Sequence, residues 1–126
     1  MAQRKAKPRK DKAREERIMW EIVPDAHDSE ERAMGWWSYL EDCLKFPFPA
    51  RCIAKQASSP LKIGDEVQVI GLSSEGCEHD MLVTIRWGKD ELAVPLAQLK
   101  PGKGVDAETC QAVEDWHYWL KQGYEF

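Results

Sequence analysis

Carboxylates are the side chains with the clearest chemical potential in this sequence. They come in pairs or clusters: Asp25 with Asp28, Glu30-Glu31, Glu41-Asp42, Asp65-Glu66, Glu75-Glu78-Asp80, Asp90-Glu91 and Glu114-Asp115. Converging carboxylates are what a hard cation needs, since calcium takes about 6–8 oxygen ligands from carboxylates, backbone carbonyls and water. The loop Ser73-Ser74-Glu75-Gly76-Cys77-Glu78-His79-Asp80 is the best local candidate, because Gly76 lets the backbone turn and the acidic residues are spaced by three and then by two. Two readings of it stand side by side: a solvated acidic loop, which is the commoner meaning of such a run, and a metal loop. No EF-hand is present, because nothing matches D-x-[DN]-x-[DN]-G followed by a glutamate. Asp28 and Glu31 are explained more simply as charges at a helix N-terminus meeting the macrodipole.

Other chemistries are weaker in the same residues. Cys77 and His79 offer a thiolate and an imidazole from one loop, but C-x-H without a second pair is a poor zinc signal. His117 beside Glu114 and Asp115, or Cys77 with His79 and Asp80, contains the right groups for nucleophilic catalysis. Neither is set by a recognisable strained turn or oxyanion loop, so the chain reads as a non-enzyme. Six tryptophans raise the prospect of a stacking platform for nucleic acid. Trp36, Trp37, Trp116 and Trp119, however, fall at core-facing helical positions.

The elements that must position these groups follow from periodicity. Asp28 as N-cap, with Glu31 in capping-box spacing, opens a helix over about 29–44 whose apolar face is Ala33, Met34, Trp36, Trp37, Leu40, Cys43 and Leu44. Gly35 weakens that helix by about 1 kcal/mol relative to alanine, which points to a close packing approach there. Pro47 and Pro49 stop it. Short strands are expected at 50–55, 66–70, 81–87 and 91–94, with Gly88-Lys89-Asp90 as a turn. Asp106 caps a final helix over about 107–121, carrying Val113, Trp116, Trp119 and Leu120 on one face. The fold class is therefore α+β, a small antiparallel SH3-like barrel or roll flanked by two helices. Ile18 to Val23, ended by Pro24, reads as a short extended piece packed on the body.

Charge divides the 126 residues unevenly. Residues 1–17 hold eight cations against three anions, +5, leaving ten cations against nineteen anions, −9, in the remainder. With no apolar residue larger than alanine between Met1 and Ile18, the first segment reads as a disordered basic tail, and 18–126 as a single domain. A body at −9 repels a phosphate backbone, so nucleic acid is left with weak, non-specific, salt-dependent contact through the tail. The scattered cysteines 43, 52, 77 and 110 read as reduced thiols in a cytoplasmic protein. No stretch approaches the roughly 18 consecutive apolar residues of a membrane span, so no membrane partner is expected. Oligomeric state is not written in these features.

Several uncommon aromatic motifs occur in one order: Ala33-Met-Gly-Trp-Trp-Ser-Tyr-Leu-Glu-Asp42, Phe46-Pro-Phe-Pro-Ala-Arg-Cys52, Gly64-Asp-Glu-Val-Gln-Val-Ile70, Ile85-Arg-Trp87, Leu92-Ala-Val-Pro-Leu96, Glu114-Asp-Trp-His-Tyr-Trp119 and Gly123-Tyr-Glu-Phe126. From about Glu21 to Phe126 the chain resembles the small acidic calcium-binding proteins of cyanobacteria and other bacteria. The resemblance implies a cytosolic, non-EF-hand protein that takes up Ca2+ through surface carboxylates and buffers or senses it. Matching residue by residue, it implies Glu41 and Asp42, in the Leu-Glu-Asp motif after the aromatic helix, and Glu75, Glu78 and Asp80, in the acidic loop before the Met-Leu-Val strand, as metal ligands. The basic segment 1–17 lies outside it.

Overall fold

The computed structural model describes residues 11–23, 29–57, 59–73 and 80–122. Its first element corrects the expectation of a disordered tail. Asp11 accepts a hydrogen bond from the Arg14 N–H at 3.0 Å and caps a short helix, α1 (Lys12–Arg17). α1 buries no residue of its own. It is held by polar contacts that an argument from apolar content does not register. The Arg17 guanidinium donates to both oxygens of Asp115, at 2.9 and 2.7 Å. The Tyr118 hydroxyl donates to Glu15 at 2.6 Å and accepts from the Asp11 N–H at 3.0 Å. Residues 1–10 lie outside the described residues, so the tail reading stands untested there.

The expected extended piece after α1 is also corrected: Ile18–Ile22 is a π-helical turn, closed by the Val23 N–H donating to the Ile18 carbonyl at 2.9 Å. Helical spacing brings Ile18 and Ile22 onto one side, where both are buried, while Met19 and Trp20 face out. The next helix, α2 (Ser29–Cys43), lies close to the expected bounds, although its proposed Asp28 cap falls outside the described residues. Ala33, Trp36 and Leu40 are buried on it, with Leu44 just beyond its end, but Met34 is exposed. Gly35 meets the close approach its presence implied, because a Cβ there would run into the carbonyl oxygen of Ile22.

Five strands follow: β1 (Phe48–Cys52), β2 (Glu66–Leu72), β3 (Leu82–Trp87), β4 (Asp90–Pro95) and β5 (Leu99–Pro101), the last entered through a 3-10 turn at Leu96–Gln98. β1 begins two residues earlier than its periodicity implied, directly after Pro47. All ladders are antiparallel, in the order β4-β3-β2-β1-β5. Gly88 supplies the positive φ of +63° that the β3–β4 turn requires. A register shift between Val69 and Gly71 bends β2 against β3. The sheet is open: β4 and β5 are its two edges, so the expected SH3-like barrel does not close. β5 has only three residues and is spent pairing with β1, and β4 ends at Pro95, which has no N–H to extend a ladder.

Phe48, Ala50, Cys52, Val69, Val83, Ile85, Val94 and Leu99 form the buried face of this sheet and join one core with the helices. α3 (Ala107–Lys121) starts where Asp106 accepts from the Thr109 N–H at 3.0 Å and from its hydroxyl at 2.7 Å. Val113, Trp116 and Trp119 are buried as expected, whereas Leu120 is exposed and Ala112 and Asp115 turn inward. Trp36 meets Trp116 and Trp119 edge-on, ring centroids 5.0 and 5.5 Å apart, joining α2 to α3. His117 is partly buried, its Nε2–H donating to the Leu99 carbonyl at 2.8 Å. It is thus a structural histidine.

Gly35→Ala should destabilise, reversing the gain of about 1 kcal/mol that helix propensity alone assigns to alanine; urea unfolding measures the sign. Arg17→Met should cost about 3 kcal/mol, the low end for breaking a buried ion pair, because the Arg14 guanidinium remains 3.4 Å from Asp115; the same titration reads it. Burial depresses the His117 pKa, with Lys121 adding to the effect and the Leu99 carbonyl and Glu114 opposing it. Its contribution is therefore fully present above the unfolded value near pH 6.5 and is lost as pH falls toward the lower folded value. Unfolding free energies measured across that window should decline toward acid, and His117→Asn should flatten the decline.

Candidate functional site

Many of the acidic residues turn out to have structural work. Asp11 and Asp106 cap helices, Asp65 accepts from the Lys62 N–H at 2.9 Å to close a turn, and Glu15 and Asp115 hold α1. Glu41 and Asp42 have no such task. Both are exposed in the last turn of α2 and make no hydrogen bond or ion pair with any described residue. That turn carries no basic residue, so two carboxylates sit beside the negative end of the helix dipole. The arrangement is locally unfavourable, and a nearby cation would relieve it.

Asp80 is the third described carboxylate among the expected ligands. Its Oδ1 accepts from the Met81 N–H at 2.8 Å, and burial raises its pKa above the ordinary carboxylate range, the Met81 hydrogen bond partly opposing. Among the described residues this partly buried carboxylate has one backbone donor, and an oxygen-seeking cation would add compensation. Glu75 and Glu78 lie outside the described residues, as do Cys77 and His79. Among the described residues no three His, Cys, Asp or Glu side chains gather as a metal cluster. Cys43, Cys52 and Cys110 are free thiols, and burial, the leading influence on Cys43 and Cys110, raises the pKa of both.

A contact from Trp37 relates the helix end to the acidic loop. Its indole Nε1–H donates to the Ser73 carbonyl at 3.0 Å, and the Ser73 N–H donates to the Leu82 carbonyl at 2.9 Å. The two ends of the acidic segment are thus tied to each other and to α2. Glu41 follows Trp37 by four residues and so stands one turn along the same helix stripe. Trp37, expected at a core-facing position, is half-buried, with its polar edge on the Ser73 carbonyl. The signal in the sequence was its i, i+4 phase with Glu41. The three oxygen donors described here fit a hard cation in kind, while the thiols and His117 are engaged elsewhere.

A family of proteins described as calcium binding, the CcbP type, matches this chain over residues 16–120. The crystal structure of Anabaena CcbP superposes with a TM-score of 0.85 and 39% sequence identity, covering 97% of this chain and 100% of that one. A calcium-binding protein solved in its calcium-binding form superposes with a TM-score of 0.83 and 38% identity, over 97% of this chain and 100% of the other. No curated protein matches the sequence. The match begins inside α1, at Glu16, which places the docked end of the basic segment within the shared unit. With a family match across most of its length and two close structural relatives of full coverage, the chain belongs to the calcium-binding CcbP family.

Proposed function

We propose that this protein binds Ca2+ through surface carboxylates, Glu41 and Asp42 from the end of α2 and Glu75, Glu78 and Asp80 from the loop before β3. It acts without catalysing a reaction, as a cytoplasmic calcium buffer or sensor. The observation that carries this reading is the placement of two carboxylates, unpaired among the described residues, against the negative end of α2, one turn from the tryptophan that holds the base of the acidic loop. Family membership supports the same ion. The free thiols of Cys43, Cys52 and Cys110 agree with a reducing compartment. No helix among the described residues is long and apolar enough to cross a membrane.

The alternative, an interaction module working through its acidic face or basic tail, loses part of its basis, because Arg14 and Arg17 are committed to Glu114 and Asp115. What remains for weak nucleic-acid contact is the segment before Asp11.

Calorimetric titration of chelator-stripped protein, with magnesium as competitor, should give saturable heat for calcium. The melting temperature should rise with it, since saturation to about 100 times Kd adds about 2.7 kcal/mol of stability. Glu78→Gln combined with Asp80→Asn should weaken affinity about tenfold or more with the circular dichroism unchanged, an order of magnitude expected for lost charged oxygen ligands. Affinity should also fall toward acid at a higher pH than ordinary carboxylates dictate, because the raised Asp80 pKa makes protons compete earlier. Heat no greater than dilution, with no melting shift, would refute calcium binding; affinity unaltered by the double substitution would remove the loop from the site.

A further inference from the structure

The solvent face of the sheet carries a second charged feature, opposite in sign to the first. Glu66 of β2, Arg51 of β1 and Lys100 of β5 are successive cross-strand partners, and all three are exposed. Beyond Lys100 the chain turns through Pro101 and Gly102 to Lys103, with Gly102 donating its N–H to the Pro49 carbonyl at 2.8 Å. Together these residues line a half-open groove of about 550 Å³. Its wall holds three cations against one carboxylate, in a chain whose net charge is −4. None of Arg51, Lys100 and Lys103 forms an ion pair or side-chain hydrogen bond with a described residue, although Glu66 stands only one strand from Arg51. The other arginines and lysines that approach acidic groups here, Arg14, Arg17 and Lys45, are all paired.

We propose that this groove binds the phosphate end of a small soluble organic phosphate. Three unpaired cations drawn into one concavity repel each other, and an oligovalent anion relieves all three at once. Arg51 presents the planar fork that matches phosphate oxygens, and the two lysines add point charges. The volume lies in the range of small-ligand sites, about 300–1,000 Å³, and is not the flat face a macromolecule needs. Pro49 and Pro101 supply apolar surface for the ligand's carbon frame. The acidic character of the rest of the body disfavours an anionic membrane or a nucleic-acid backbone as occupant.

The test is amide chemical-shift titration of the full chain at low ionic strength in chelator-containing buffer, with ADP, inorganic pyrophosphate and adenosine as probes. Both phosphates should give saturable shifts at residues 51 and 100–103, and adenosine should give none. Lys100→Gln combined with Lys103→Gln should weaken phosphate binding about tenfold or more, as expected for lost charge-assisted contacts, whereas Lys89→Gln in the β3–β4 turn should leave it unchanged. Because these residues are exposed and the chelator removes calcium, the result is independent of the cation site. Absence of saturable shifts, equal binding by the double variant, or binding seen only with phosphoinositide vesicles or with polyglutamate would overturn the proposal.

Discussion

A carboxylate with no exposure to solvent organises the helices of this protein. Asp115 on α3 is fully buried, and an uncompensated charge in that position would be severely destabilising. Arg17 of α1 meets both of its oxygens, and the Tyr39 hydroxyl of α2 donates to Oδ2 at 2.7 Å. The cause lies in the geometry of the acceptor: a carboxylate offers several lone-pair directions, and here α1 and α2 both bring donors to the carboxyl carried by α3. The consequences run both ways. Asp115 holds the Arg17 pKa above its ordinary value by its hydrogen bonds, against desolvation, and burial together with the same carboxylate raises that of Tyr39.

That constraint fixes the rotation of α2. With Tyr39 turned to Asp115, and Trp36 packed edge-on against Trp116 and Trp119, residues 36, 39 and 40 face inward. Residues 37 and 41 must then lie to the side, toward the end of β2, and 42 at the surface. The close seat of Gly35 on the Ile22 carbonyl sets the translation of the helix as the Asp115 network sets its rotation. A carboxylate pair four and five residues beyond Trp37 is therefore delivered beside the base of the acidic loop by contacts in which no metal takes part. For the proposed calcium site, carboxylates held by such contacts lower the ordering cost of binding.

Where the sequence was legible, the reason is periodicity. α3 begins and ends within a residue of its pattern because Asp106 and the Val113-Trp116-Trp119 stripe report a cap and a core face directly. Four of the five strands were legible near their positions through alternation and turn residues, while the three-residue β5 carries too short a pattern to register. What was not legible depends on polar pairing over long sequence separation. Arg17 looks like a member of a solvated basic run, and only the fold reveals Asp115 some 98 positions away as its partner. Closure of the sheet was misjudged for a related reason: five short strands are compatible with a barrel, and whether β4 meets β5 is decided by Pro95 and by the brevity of β5. The site was half legible. Acidic pairs mark where carboxylates are, but not which of them already have a partner.

The partition of carboxylates is the step that connects fold to function. A local rule is obeyed by Asp11 and Asp106, which stand at positive helix ends and accept backbone N–H groups. Glu41 and Asp42 break the same rule at the negative end of α2, and Asp80 is partly buried with one backbone donor among the described residues. The two groups share one chemistry and differ in whether the fold satisfies them. Among the described cations, Arg14, Arg17 and Lys45 pair with other acidic groups, while Arg51, Lys100 and Lys103 stand together on the solvent face of the sheet. This separation of the two signs is the physical basis shared by the two proposals, a hard cation for the carboxylates on the helix side and an oxyanion for the cations on the sheet side.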